Sequence, residues 1–319
     1  MDVVLDFERP IVELRKRIEQ LRALHDGDEV NLQASIDQLE LQLEQLQART
    51  FSRLTAWQRT QIARHPGRPF TLDYLAGLCT EFTELHGDRA GYDDHAIVAG
   101  MARFRGRPVA VVGHQKGRKT KENIYRNFGM ARPQGYRKAL RVMKLADDFG
   151  LPVLTFVDTP GAYPGVEAEA NGQAEAIARS ILEMSRLTVP VVCVVTGEGG
   201  SGGALALATA NRVLMLENSI YSVISPEGCA AILWRDKAEA PRASAALRVT
   251  ARDCLELGVV DEVVPEPYGG AHRHRQVVLD AVGEAIGRHL DELEGLEPAA
   301  LRTDRHDRFR RIGRFLDVA

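Results

Sequence analysis

The chain has 319 residues, of which 45% are hydrophobic and 27% charged, and its formal net charge is −3. That length suits one core domain of about 200–250 residues with an appendage, and the negative sum argues against an obligate nucleic-acid binder, whose surface would be broadly basic. No run approaches the ~18–20 apolar residues of a membrane span, and Cys79, Cys193, Cys229 and Cys254 lie far apart with no CxxC pair, so a reducing cytoplasm is expected and a zinc site within this chain is not.

The first elements are helical. Ile11, Leu14, Ile18 and Leu21 follow a 3-4-3 spacing, and Leu32, Ile36, Leu39, Leu43 and Leu46 follow 4-3-4-3. Each set draws one apolar seam along a charged, amide-rich helix. His25-Asp26-Gly27-Asp28 reads as a stop and restart between them. The pattern predicts an antiparallel helical hairpin, whose seam is too narrow for a core of its own. It should pack on the main domain or on a partner. Arg64-His65-Pro66-Gly67-Arg68-Pro69 breaks structure twice, which divides the chain into an N-terminal extension, 1–66, and a main domain, 67–319.

From Thr71 onward the pattern alternates. Strands are expected at Ala96–Phe104 and Pro108–Gly113 across the turn Arg105-Gly106-Arg107, then a helix from about Gly135 to Phe149. The apolar run Val153–Val157 reads as a buried strand, followed by an Ala- and Glu-rich helix to about Arg186. A second buried strand, Val191–Thr196, holds Cys193, and a helix at Ala204–Ala210 and a strand at Val213–Leu216 come next. Strand, glycine turn and helix in repetition mean an α/β core with its turns at the strand carboxyl ends, where such folds bind ligands. Local alternation fits a doubly wound sheet as well as any other α/β arrangement.

Two of those turns carry chemistry. Residues 197–203 hold five glycines in seven positions immediately before a helix. Glycine lets successive N–H groups converge, and the helix adds unsatisfied donors and a positive dipole end, which together make an oxyanion site. A P-loop is excluded because no Lys is present there. A serine hydrolase stays open, since Gly199-Gly200-Ser201-Gly202-Gly203 satisfies G-x-S-x-G, with Asp261 and His272 following in hydrolase order. A tight crossing with no ligand is the plain structural alternative. Thr159-Pro160-Gly161-Ala162-Tyr163-Pro164-Gly165 ends the neighbouring strand in the same way, and Tyr163 there could pack or hydrogen-bond. A third patch, His114 to Lys121, includes Lys116 and Arg118 and reads either as a solvated loop or as an anion clamp.

The strings GHQKGRKTKENIYRNFGMARPQGYRKALR (113–141), TFVDTPGAYPG (155–165), VTGEGGSGGALA (195–206), YSVISPEGCAAILW (221–234) and VVPEPYGGAHR (263–273) closely resemble the carboxyltransferase alpha subunit of bacterial acetyl-CoA carboxylase. LDFERPIVELRKRIE at the start extends the resemblance over almost the whole chain. It implies a crotonase-like fold of the ClpP/crotonase superfamily, a right-handed spiral of ββα units, in place of a doubly wound sheet. It also implies a separate beta subunit in an α2β2 heterotetramer, with the active site between alpha and beta and the zinc ribbon in beta only. The remaining partners would be biotin carboxylase and the biotin carboxyl carrier protein.

The implied reaction moves a carboxyl group from carboxybiotin on that carrier to acetyl-CoA, giving malonyl-CoA for fatty acid synthesis. No cofactor is expected within this chain. Charge building on the ureido oxygen would be met by backbone donors at Gly199, Gly200, Gly202 and Gly203 and at Gly161 and Ala162. No side-chain base is then required, and Ser201 would shape the turn instead of attacking. By the same resemblance Arg118 matches an arginine near the transferred carboxylate; Lys116 and Tyr163 are further substrate-binding candidates, and Arg235 is a candidate for a CoA phosphate or for a surface ion pair. One departure is Asn171, where the family commonly has arginine.

Overall fold

The two N-terminal helices need a third helix and the main domain to complete a core. The computed structural model describes residues 3–25 and 32–313. Helices α1 (Arg9–His25) and α2 (Gln33–Phe51) run antiparallel, with Arg22 paired to Glu40. The stop signal at 26–28 lies outside the described residues. Ile11, Ile18 and Ile36 are buried, whereas Leu14, Leu21, Leu39, Leu43 and Leu46 are only half-buried. The seam closes on the next helix, α3 (Ala56–Ala63), where Ile62 joins Ile11 and Phe51. The hairpin therefore packs on α3, which in turn packs on the main domain, as its narrow stripe requires.

A polar clasp completes that docking. Glu8 Oε1 lies 3.4 Å from His272 Nε2 and 3.3 Å from Arg273 Nε, and His65 Nε2 meets the Val3 carbonyl at 2.9 Å. The His65 and His272 rings stack with centroids 4.0 Å apart. Burial opposes ionisation of Glu8, but His272 and Arg273 outweigh it and hold the carboxyl below its usual range. Ligand atoms of Glu8, His65 and His272 fall within 4.8 Å of one another. Both His65 nitrogens are nevertheless engaged, with Gly67 N donating to Nδ1, and Arg273 already faces Glu8, so the group reads as a clasp.

Helix α4 (Thr71–Leu78) leads into one eight-stranded sheet. Strands β1 (Cys79–Glu84), β2 (Ile97–Phe104) and β3 (Arg107–His114) form an antiparallel meander. Short α5 (Thr120–Tyr125) and then α6 (Pro133–Asp148) carry the chain to β4 (Val153–Thr159), parallel to β3. Helices α7 (Val166–Ala170) and α8 (Gln173–Arg186) lead to β5 (Val191–Gly200). After α9 (Ser201–Ala208) come β6 (Arg212–Leu216) and β7 (Ile220–Ser222), and then α10 (Pro226–Trp234), α11 (Ala240–Ala246) and α12 (Ala251–Glu256). Strand β8 (Glu262–Val264) completes the order β1-β2-β3-β4-β5-β6-β8, and β7 pairs the end of β5. The β2–β3 hairpin followed by α6 is one ββα unit of the kind the resemblance implies.

The sheet is covered on both faces. On one, Val153, Val157, Val191, Cys193 and Val195 meet residues of α6, α8, α9 and α12. On the other, Leu154, Phe156, Val192 and Val194 meet α4, α13 (Arg275–Glu294) and α14 (Pro298–Arg310). Burial on both faces is what the unbroken valine runs demand.

The main correction to the sequence reading is the length of β5. The expected strand stopped at Thr196, but the observed one continues through Gly197–Gly200, because Glu198, Gly199 and Gly200 pair with Ile220, Tyr221 and Ser222 of β7. Residues 197–203 are thus a strand end and the first turn of a helix.

At the end of β3, the fully buried His114 is pulled down to about 3 by burial and then by the Lys116 charge. The unfolded chain, with His near 6.5, binds the extra proton first, so His114 contributes stability that is complete above that pH and falls as pH drops toward 3. Melting temperature is expected to decline on acidification from pH 6.5 to 5, and His114→Phe should flatten that slope. An unchanged slope would remove His114 as its source.

Candidate functional site

The two glycine turns lie side by side because their strands are neighbours. Thr159, the last residue of β4, pairs with Gly199 near the end of β5. Beyond it the chain reverses around Gly161, whose φ of 150° suits glycine alone. The Thr159 hydroxyl donates to the Gly161 carbonyl at 2.7 Å and accepts from Gly161 N at 3.1 Å. Further on, Tyr163 N donates to Ala131 O at 3.0 Å, and Gln173 Nε2 reaches both that carbonyl and Tyr163 O. The turn is held at each end.

The absence of side chains on the glycines has two separate uses. A Cβ on Gly200 would collide with the Pro160 carbonyl, one on Gly203 would lie 2.6 Å from Ala162 N, and one on Gly199 would press the Tyr221 ring at 2.7 Å. These three let the turns and their support close onto each other. Gly161 has nothing within 4 Å of its Cβ position, and Gly202 has only Ile177, at 3.4 Å. Gly161, Ala162, Gly200, Ser201 and Gly202 are half-buried, so an open backbone face remains at the seam. The first turn of α9 brings its free N–H groups there. An apolar groove of about 310 Å³, lined among others by Leu205, Val213, Tyr221, Val223 and Phe309, opens against Ser201 and Gly202.

A buried charge network lies beneath the seam. Lys116 Nζ is 2.7 Å from Asp158 Oδ1 and 3.0 Å from Glu198 Oε1. Arg64 Nε meets the other Glu198 oxygen at 2.7 Å and also pairs with Glu227 of α10. Burial would lower the Lys116 pKa, but the two carboxylates raise it; burial would raise that of Glu198, but Lys116 and Arg64 lower it. Both stay ionised, tying the ends of β4 and β5 to the segment after β3.

The remaining candidates separate. The Arg118 guanidinium lies 4.7 Å over the Phe70 ring, donates to Pro66 O at 2.8 Å and pairs with Asp73. The cationic patch thus divides, with Lys116 turned inward and Arg118 bound to the segment between α3 and α4. Tyr163 packs under Arg132, whose guanidinium lies 4.8 Å from the ring. Arg235 ends α10 with a φ of 58°, exposed and without an ion-pair partner among the described residues. Asn171 ends α7, with its Nδ2 donating to Glu167 O at 2.6 Å and its main-chain carbonyl accepting from Arg137 at 3.2 Å.

The hydrolase alternative fails on geometry. Ser201 does open a helix with a strained φ of 52°, but Asp261 is engaged by Val213 N at 2.6 Å and Arg308 Nε at 2.7 Å. His272 faces Glu8 in the N-terminal clasp. The three residues form no triad.

A family described as "Acetyl co-enzyme A carboxylase carboxyltransferase-like" matches residues 4–313. The chain belongs to that family. It is 59% identical over 313 residues to the acetyl-coenzyme A carboxylase carboxyl transferase subunit alpha of Thermus thermophilus, covering 98% of this chain and 99% of that one. The subunit of the same name from Geobacter metallireducens is 55% identical, with 98% of both covered. Among solved structures, transcarboxylase 12S with methylmalonyl-coenzyme A bound is similar at a TM-score of 0.54 and 25% identity, over 67% of this chain and 41% of that one. The fold is accordingly crotonase-like, as the resemblance implied.

Within this carboxyltransferase family member, sequence reasoning passed over four residues at the seam. Asp158, just past the expected strand, and Glu198, within the glycine turn, were given no role, and their convergence on Lys116 is a tertiary fact. Thr159 was visible as the first residue of the turn, but its two hydrogen bonds with Gly161 were not. Tyr136 of α6 is fully buried, and its hydroxyl, with no hydrogen-bond partner among the described residues, lies 2.9 Å from the Gly203 Cβ position.

Proposed function

We propose that this chain is the alpha subunit of an acetyl-CoA carboxyltransferase and acts with a beta subunit to move the carboxyl group of carboxybiotin to acetyl-CoA, giving malonyl-CoA. The observation that carries this is the pair of glycine turns fitted together at adjacent strand ends with their backbone open at Gly161, Ala162, Gly200 and Gly202. Donors fixed in advance can hold the negative charge that develops on a ureido oxygen, at about 2.7–4 kcal/mol per donor. Gly199 and Gly203 support the turns, and Lys116 holds the strand ends in register. Tyr163 and Arg118 frame the site, and Arg235 is free for a CoA phosphate. The groove beside Ser201 offers apolar surface to the carrier-borne ring.

A beta partner is supported by apolar side chains that this chain leaves bare. Ile124 of α5 is 64% exposed, and Ile232 and Leu233 of α10 are 71% and 63% exposed, a pattern that marks interaction surfaces. The finer reading is an α2β2 heterotetramer in the cytoplasm, with zinc in beta, served by biotin carboxylase and the carrier protein. Residues 1–66 form the extension and 67–319 the carboxyltransferase domain in this reading. No helix of the described residues is long and apolar enough to cross a membrane.

Co-expression with the beta subunit tests this. Mass measurement should find both chains together, and the complex should exchange carboxyl groups between malonyl-CoA and biotin while alpha alone does not. A stable solitary alpha monomer with no affinity for beta would sink the reading.

A further inference from the structure

We infer that Thr159 is a positioning residue whose hydroxyl presets the Ala162 N–H as an oxyanion donor, an inference that rests on the proposed carboxyltransferase site. The Thr159 side chain is fully buried, so its hydroxyl has no water to turn toward. Its one proton goes to the Gly161 carbonyl at 2.7 Å, and its oxygen accepts from Gly161 N at 3.1 Å. The Gly161 carbonyl and the Ala162 N–H belong to a single planar peptide, so fixing the oxygen fixes the direction of the N–H. Donation to an amide oxygen also polarises the amide and strengthens its N–H as a donor.

This peptide lies where the two turns meet. Ala162 N is 2.6 Å from the Cβ position of Gly203, so the plane that Thr159 holds is the one against which the start of α9 packs. On its other side Gly161, with a φ of 150° and nothing within 4 Å of its Cβ position, has no packing to keep that plane still. Without the hydroxyl the peptide could rotate, and the donor would have to be reoriented during each turnover. Preorganisation of this kind changes the rate of the chemical step more than ground-state binding.

Two substitutions at Thr159 separate this role from packing. Thr159→Val keeps the shape and removes the hydroxyl, whereas Thr159→Ser keeps the hydroxyl and removes the methyl. In the assembled alpha–beta enzyme, Val should lower kcat for carboxyl exchange about tenfold, less than the ~10²–10³ of deleting a donor outright. KM for malonyl-CoA should stay within about twofold and the Ser enzyme within about threefold of the parent kcat. The reverse ranking, with Val near the parent and Ser impaired, would assign Thr159 to packing and overturn the inference. If the Val protein does not assemble, Thr159→Cys takes its place. Its weaker S–H donor should leave kcat below that of Ser, and an undiminished value would equally overturn the inference. An inactive parent enzyme would instead reject the carboxyltransferase reading itself.

Discussion

Gly200→Val in the alpha–beta enzyme is expected to lower carboxyl exchange by about 10²–10³ or more, the loss associated with removing an oxyanion donor. The cause is steric before it is electronic. A Cβ at this position runs into the Pro160 carbonyl, with Gly161 N 2.8 Å away. Neither is a flexible side-chain tip, so the two turns must separate. Separation misaims Gly161–Ala162 and the start of α9 together, which is why one substitution should remove more than one donor. Gly202→Ala is the matched control, because its methyl would meet only Ile177, at 3.4 Å. It should fold, bind beta and keep its melting temperature. Any loss of exchange in that control then reports on the open face of the seam and not on the fit between turns. Full exchange activity in an assembled Gly200→Val enzyme would refute the oxyanion assignment.

The sequence made this site legible to different depths. The buried strands at 153–157 and 191–196 were readable because continuous valine runs have few other uses. The glycine turns were readable as an anion-friendly feature, and the long family strings gave that feature a substrate. The division among the glycines was not readable. That a side chain fits at Gly202 but not at Gly200 depends on the Pro160 carbonyl forty residues away, and no local pattern encodes that. The strands β1, β7 and β8 were missed for a related reason. β7 and β8 are three residues long, and β1 has a mixed burial pattern against β2 alone, so tertiary pairing decides them. Lys116 and Arg118 had the right composition for an anion clamp. Their partners, Asp158, Glu198 and Asp73, come from other segments and occupy both cations.

Arg68→Met is expected to destabilise the fold by about 3–5 kcal/mol, the usual cost of stranding one half of a buried ion pair. Arg68 and Glu266 are both buried, with bonds of 2.9 Å from Nη1 to Oε2 and 2.8 Å from Nη2 to Oε1. The guanidinium also donates to Thr196 O from Nε and Nη2. Glu266 in turn accepts from Asn218 N and Ala271 N. One pair therefore joins the 64–69 segment, the middle of β5 and the loop after β8. Burial alone would raise the Glu266 pKa, but Arg68 and these N–H donors hold it below the usual carboxylate range. A depressed carboxylate contributes stability that is complete above its unfolded pKa, near 4.3, and is lost as pH falls through the folded value. The effect of Arg68→Met should thus be fully visible in urea titrations at pH 7 and shrink in acid. The double variant Arg68→Met, Glu266→Leu should recover part of the loss, since no charge is left unpaired. A loss below about 1 kcal/mol in the single variant would place this pair with exposed salt bridges, whose worth is of that order.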